Sequence, residues 1–227
     1  MFSDYLKDWS IAMEIKGKKF NFLGDSITEG VGASDVEHSY SQVFGKIAEA
    51  AAARNYGVSG TRIAAQHNPT VDCPSFDEHF LLRAVKMDKD ADFVVVFGGT
   101  NDYGHGDAHI GNPTDRTSET FYGALHELFT TLINRFPEST IVVMTPLHRE
   151  CENNPSAATG YTLKQYVEII REVAEVYGLP VLDLYKMGGI VPDVPVSKET
   201  YAPDGLHPND KGHALVAQRL KSFLLSL

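Results

Sequence analysis

Short apolar runs alternate with longer stretches of helical spacing along this chain, and that alternation constrains its fold more than any other feature. The runs "FNFL" (20–23), "DFVVVFG" (92–98), "TIVVMT" (140–145) and "LPVLDL" (179–184) are brief and rich in β-branched or aromatic residues, as buried strands are. "ARNYGV" (53–58) is a weaker fifth run. Between them, "SYSQVFGKIAEAAA" (39–52) places Val43, Ile47 and Ala50 on one helical face. "SETFYGALHELFTTLINRF" (118–136) does the same for Phe121, Leu125, Leu128, Leu132 and Phe136, with Ser118 as N-cap and Pro137 as stop. In "TLKQYVEIIREVAEVYG" (162–178), Leu163, Tyr166, Ile170, Val173 and either Val176 or Tyr177 face inward. "PNDKGHALVAQRLKSFLLSL" (208–227) reads as a final helix with Pro208 near its first position, and "FDEHFLLRAVKM" (76–87) as a further one.

Continuous apolar strands alternating with helices imply a parallel sheet covered on both faces. No internal repeat, low-complexity tract or linker interrupts the pattern. The expectation is one α/β domain over residues 1–227, with about five strands. Residues 1–19, Trp9 included, are expected to form an extension packed on its edge.

The charge balance removes several function classes. Lysine and arginine number 20 against 30 acids, a formal net charge of -10. Nucleic-acid binding needs a basic face that can displace counterions, and an anionic membrane surface would repel this chain. No apolar run is long enough to span a bilayer. Asp4 and Asp8 stand where a signal peptide carries basic residues, so a cytoplasmic location is expected. Cys73 and Cys151 match no metal motif and are too few for a disulfide framework. Free thiols are the expectation, with their pairing left open, as is homo-oligomerisation.

In a parallel α/β sheet the chemistry gathers beyond the carboxyl ends of the strands. Those tips read "GDSITEG" (24–30), "NYGVSG" (55–60), "GGTNDYGHG" (98–106) and "PLHRE" (146–150), and "DGLHPN" (204–209) precedes the last helix. Taken singly, each has a plain structural meaning. Ser26 could cap a helix, Gly60 could supply a positive φ, and Asn101 could close a turn. Asp204 three residues before His207 could hold an imidazole by its Nδ1–H and leave Nε2 as a base. No phosphate loop of either common type is present.

Four such signals at separate tips of one sheet carry more weight than any one alone. "GDSITEG", "NYGVSG", "GTND" and "DGLHP" together resemble the four blocks of the SGNH hydrolases, the GDSL esterase/lipase family, in the family's order and across residues 24–208. Ile27 replaces the Leu of the name motif, a volume-conserving change. The resemblance implies a flavodoxin-like three-layer sandwich and hydrolysis of a small-molecule ester without metal or other cofactor. It assigns Ser26 as nucleophile, His207 as base and Asp204 as its orienting acid. Gly60, Asn101 and the Ser26 N–H become the oxyanion donors.

A short acyl group on a carbohydrate or other polar alcohol is the first substrate expected, because the loops at 99–117 and 146–160 are long and polar. A lysophospholipase or thioesterase, a catalytically silent binding domain and a flavodoxin-like carrier are the rivals. Tyr103 and His105 are expected to face substrate. His105, Asp107 and His109 also invite a metal reading, disfavoured because the segment reads as loop. Asp102 and Asp25 are expected to support structure rather than to react.

Overall fold

The structure, a computed structural model, describes residues 13–227. The expected placement of residues 1–12, with Trp9, lies outside them. Five strands form one sheet: β1 (Lys19–Gly24), β2 (Ala52–Gly57), β3 (Phe93–Phe97), β4 (Thr140–Met144) and β5 (Val181–Leu182). Their order is β2-β1-β3-β4-β5 and every neighbouring pair is parallel. This is the flavodoxin-like order of a doubly wound sheet. All five runs picked out as strands lie in the sheet, although "LPVLDL" contributes only two residues.

Nine helices run α1 (Ser26–Glu29), α2 (Tyr40–Ile47), α3 (Phe80–Ala84), α4 (Thr100–His105), α5 (Phe121–Arg135), α6 (Leu163–Val176), α7 (Leu184–Met187), α8 (Pro195–Tyr201) and α9 (Asp210–Leu224) among the described residues. The period-2 geometry of the strands sorts their side chains onto two faces. Leu23, Val94, Val96, Ile141 and Val143 join the inner faces of α3, α5 and α6 in one core. Phe20, Phe22, Phe93, Val95, Phe97, Val142 and Met144 join α2 and α9 in the other. Ile15 is buried in this second core and Met13 packs against it. Phe20 and Phe93, opposite in register, stack with centroids 4.6 Å apart.

Helix boundaries depart from the periodic pattern where local chemistry overrides it. α2 stops at Ile47, not 52, because the chain reverses through Glu49 at φ 51 and enters β2. Its most buried apolar residues are Tyr40 and Phe44 rather than Val43 and Ile47. α5 is capped by Thr120, whose hydroxyl accepts from the Gly123 N–H, and not by Ser118. In α6, Val176 is exposed and Tyr177 packs inward. α9 is capped by Asn209, so Pro208 lies one residue before the cap. The segment 76–87 holds only the short α3, after a single 3₁₀ turn at Pro74–Asp77.

β1 lies between β2 and β3, and the chain leaves β1 toward one side and β3 toward the other. The crevice of the fold therefore opens between the carboxyl ends of β1 and β3. Gly24 ends β1 there. A Cβ at this position would strike the Thr28 side chain and come within 2.8 Å of the Phe97 carbonyl oxygen. Its absence lets the chain turn into α1 directly against β3.

Candidate active site

Ser26 is the first residue of the single-turn helix α1 and not its cap. The capping role falls to its neighbour: the Asp25 carboxylate accepts from the Ile27 N–H at 3.0 Å. Burial pushes the Asp25 carboxyl up to about 7, against the pull of that N–H and of the Arg83 guanidinium. Ser26 is 6% exposed, and its Oγ–H donates to His207 Nε2 at 3.0 Å. The His207 Nδ1–H in turn donates to Asp204 Oδ2 at 2.7 Å. Asp204 Oδ1 accepts from the backbone N–H groups of Leu206 and His207, which locks the turn that carries both residues. Burial raises the Asp204 carboxyl, but the bonds from the His207 ring and those two N–H groups outweigh it and hold it below the usual range. The tautomer is thus set, and Nε2 presents a lone pair to the Ser26 proton.

Beside Ser26 lie two further groups from separate tips. Gly60 follows β2 with φ 73, and the Phe76 ring occupies the space a Cβ would need. Asn101 is the second residue of α4, 4% exposed. One of its amide N–H bonds reaches the Thr61 carbonyl at 3.0 Å, leaving the second for the cleft. Ser26, Gly60, Asn101 and His207 line one cleft of about 270 Å³, with Val31, Ser59, Phe76, Gly104, His105, Arg149 and Leu206. The set can transfer a proton from a hydroxyl and offer N–H donors to an oxygen beside it.

Two buried charged side chains hold the tips in register. Arg83 on α3 donates Nη1 to the Gly24 carbonyl at 2.8 Å and to the Tyr56 carbonyl, and Nη2 to Thr61 Oγ1 at 2.8 Å. It ties the ends of β1 and β2 to the segment after Gly60. Burial lowers its pKa to about 10, so it stays cationic near neutrality. Asp102 accepts from the N–H groups of Ile63 and Ala64 at 3.0 and 2.9 Å, joining α4 to the same segment. Burial raises its carboxyl to about 6 despite those bonds.

A family model for the GDSL-like Lipase/Acylhydrolase family matches residues 22–215. The chain belongs to the GDSL-like lipase/acylhydrolase family. Among solved structures, a protein from Lactobacillus plantarum is 30% identical with a TM-score of 0.80, over 93% of this chain and 98% of that one. The lipase/acylhydrolase from Enterococcus faecalis is 21% identical with a TM-score of 0.61, over 92% and 96%. A two-domain esterase active on acetylated mannans is 23% identical with a TM-score of 0.60, over 92% of this chain and 49% of that one. None of the curated proteins compared with the chain matches it.

Within this GDSL-family fold, the other residues named from sequence fall in different places. "GTND" opens the helix α4 rather than a loop, and His105 ends that helix with its ring on the cleft. Tyr103 does not line the cleft. It is 7% exposed, packs in the core against Tyr166, and donates its hydroxyl to the carbonyls of Cys151 and Asn154. Tyr103 and His105 stand two positions apart on a helix, with Gly104 between them, which sends the two side chains to different faces.

The metal reading finds no cluster among the described residues. Asp107 accepts from the N–H groups of His67 and Asn68, and His109 lies against the His67 ring. Cys73 and Cys151 are both free thiols. No helix among the described residues is long and apolar enough to cross a membrane. Arg149, Phe76, Val31 and Leu206 were not singled out by sequence. Only "PLHRE", a polar tip after β4, pointed toward Arg149.

Proposed function

We propose that this chain is a serine ester hydrolase that removes short, acetyl-type acyl groups from a carbohydrate or another small polar alcohol. The observation that carries the reading is the continuous relay from Ser26 Oγ through His207 to Asp204, at 3.0 and 2.7 Å, on the wall of a small cleft. His207 Nε2 takes the Ser26 proton as Oγ attacks the ester carbonyl carbon. The carbonyl electron pair moves onto oxygen, and that oxyanion accepts from the Gly60 N–H, the Ser26 N–H and the free Asn101 amide hydrogen. Collapse of the adduct breaks the ester C–O bond, and the proton passes from His207 to the leaving alcohol. Water then loses a proton to His207 and attacks the acyl carbon, releasing the acid and restoring Ser26.

Size favours a short acyl chain. The cleft of about 270 Å³ falls just below the roughly 300–1,000 Å³ usual for drug-sized ligands. A neighbour of the same fold acts on acetylated mannans, in keeping with an acetyl ester of a sugar. A silent binding domain would have no need of an aligned relay. The test is a series of p-nitrophenyl esters of increasing chain length, run on the intact chain and on Ser26→Ala. The reading expects the highest kcat/KM at acetate or propionate. It expects Ser26→Ala to lose nearly all activity, keeping about 10³–10⁴ over water. Near-native turnover by Ser26→Ala would remove the proposed nucleophile. A preference for long chains would shift the substrate to lipid-like esters.

A further inference from the structure

The cleft that holds the relay also carries a cation with no carboxylate partner. Arg149 follows β4 and lines the same cleft as Ser26 and His207. Its guanidinium is held in place: Nη1 donates to Thr100 O and Oγ1, each at 3.2 Å, and the group lies over the Tyr103 ring at 5.5 Å. Gly104 makes room for it, since a Cβ there would come within 2.8 Å of Nη1. This also explains why Tyr103 is turned into the core: it is the floor beneath Arg149 rather than a wall of the cleft.

No carboxylate among the described residues pairs with Arg149, and its buried Nε has no acceptor. The two acids that follow it in sequence pair with other side chains, Glu150 with Lys198 and Glu152 with His148, and Glu152 meets Arg149 only at its backbone N–H. Arg54, Arg62 and Arg171 each pair with an Asp. In a chain of net charge -10, a preorganised guanidinium without a carboxylate partner, lining the same cleft as the reacting hydroxyl, is a place for an anion. Arg forks suit carboxylate and phosphate oxygens.

His105 adds a second donor to the same cleft. Its Nδ1 accepts from Arg62 Nη1 at 3.0 Å, so the ring proton sits on Nε2. Burial and the guanidinium groups of Arg62 and Arg149 push its pKa down, keeping the ring neutral.

We propose that Arg149, with His105 beside it, selects esters that carry an anionic oxygen group, a carboxylate or phosphate, close to the reacting carbonyl. This rests on the ester-hydrolase reading and names its substrate class more closely: the polar alcohol or the acyl group is acidic, as in an acetylated sugar acid. A purely structural Arg149, present only to bridge Thr100, would confer no charge preference.

The test uses two matched pairs of esters. Phenyl acetate against 4-acetoxybenzoate puts the charge on the alcohol side. p-Nitrophenyl butyrate against mono-p-nitrophenyl succinate puts it on the acyl side at equal chain length. Each kcat/KM is divided by the ester's own alkaline hydrolysis rate, so that intrinsic reactivity cancels. The expected result is a preference of about tenfold or more for the charged member of at least one pair, since hydrogen bonds to charged groups are the stronger ones. Arg149→Gln should lose about 10–100-fold on that charged ester, mostly in KM, and Arg149→Lys should retain part of the preference.

If Arg149→Gln does not fold, the intact chain still decides the matter. Its charged-to-neutral ratio should fall as salt is raised. Equal or inverted selectivity, or a preference that survives Arg149→Gln or added salt, overturns the proposal while leaving the hydrolase reading standing. No hydrolysis of any of the four esters overturns both.

Discussion

At the scale of single residues, the site rests on side chains whose types the sequence showed but whose partners it hid. Ser26, Gly60 and Asn101 were legible because each sits in a polar, Gly-containing block at a strand tip, and Asp204 and His207 because they share one such block before the last helix. Tyr103 was misplaced because its position next to "GTND" could not reveal which face of α4 it occupies. Arg149 was overlooked because a lone Arg in a polar loop reads as solvated. Only its bonds to Thr100 and its packing against Gly104 and Tyr103 show that it is held. Asn101 permits a clear separation of roles. If its amide meets the oxyanion, Asn101→Ala should lower kcat about 10²–10³-fold with little change in KM. If it serves only to anchor Thr61 at 3.0 Å, the variant should lose roughly 1 kcal/mol of stability and keep its turnover. Measuring kcat, KM and Tm on one preparation distinguishes the two.

At the scale of elements, the strands were easier to read than the helices that carry the chemistry. β3 is an unbroken β-branched and aromatic run and β4 departs from one only at Met144, and both are buried on both faces. α1 and α4 have four and six residues, too short to display a 3.6-residue period, so both read as turns. Their positions depend on long-range bonds that local sequence does not encode. The Arg83 bridge joins α3 to two strand ends and to Thr61, and Asp102 joins α4 to residues 63 and 64. Replacing Arg83 with Met should strand those acceptors at about 1–3 kcal/mol each, lowering Tm sharply. Asp102→Asn is the subtler probe. It turns one acceptor into a donor facing an N–H, loosens the segment after Gly60, and should reduce kcat more than it reduces Tm. Equal kcat in Asp102→Asn and the parent chain would show that this segment does not position the site.

At the scale of the whole molecule, the segments after β1, β2, β3 and β4 and the turn before α9 line one crevice. α9 carries the buried His213, which bridges the Tyr40 N–H at 3.1 Å and the Val31 carbonyl at 3.2 Å. Burial lowers its pKa from an ordinary 6.5 to about 4. The unfolded chain takes up that proton below pH 6.5, whereas the folded chain resists until about 4. His213 therefore contributes its stability fully above 6.5 and loses it as pH falls toward 4. Asp25 and Asp102, whose carboxyls are raised, act in the opposite sense over a similar range. The difference in Tm between the parent chain and His213→Gln isolates the histidine, and it should shrink as pH is lowered through that window. A constant difference would mean that His213 does not titrate as its burial requires. The central claim, that Ser26 is a nucleophile activated by His207, is tested most directly by mass spectrometry after treatment with a fluorophosphonate. One adduct per chain, mapped to Ser26 and absent from His207→Ala, is the predicted result. Labelling at another residue, or undiminished labelling of Ser26 in His207→Ala, would contradict it.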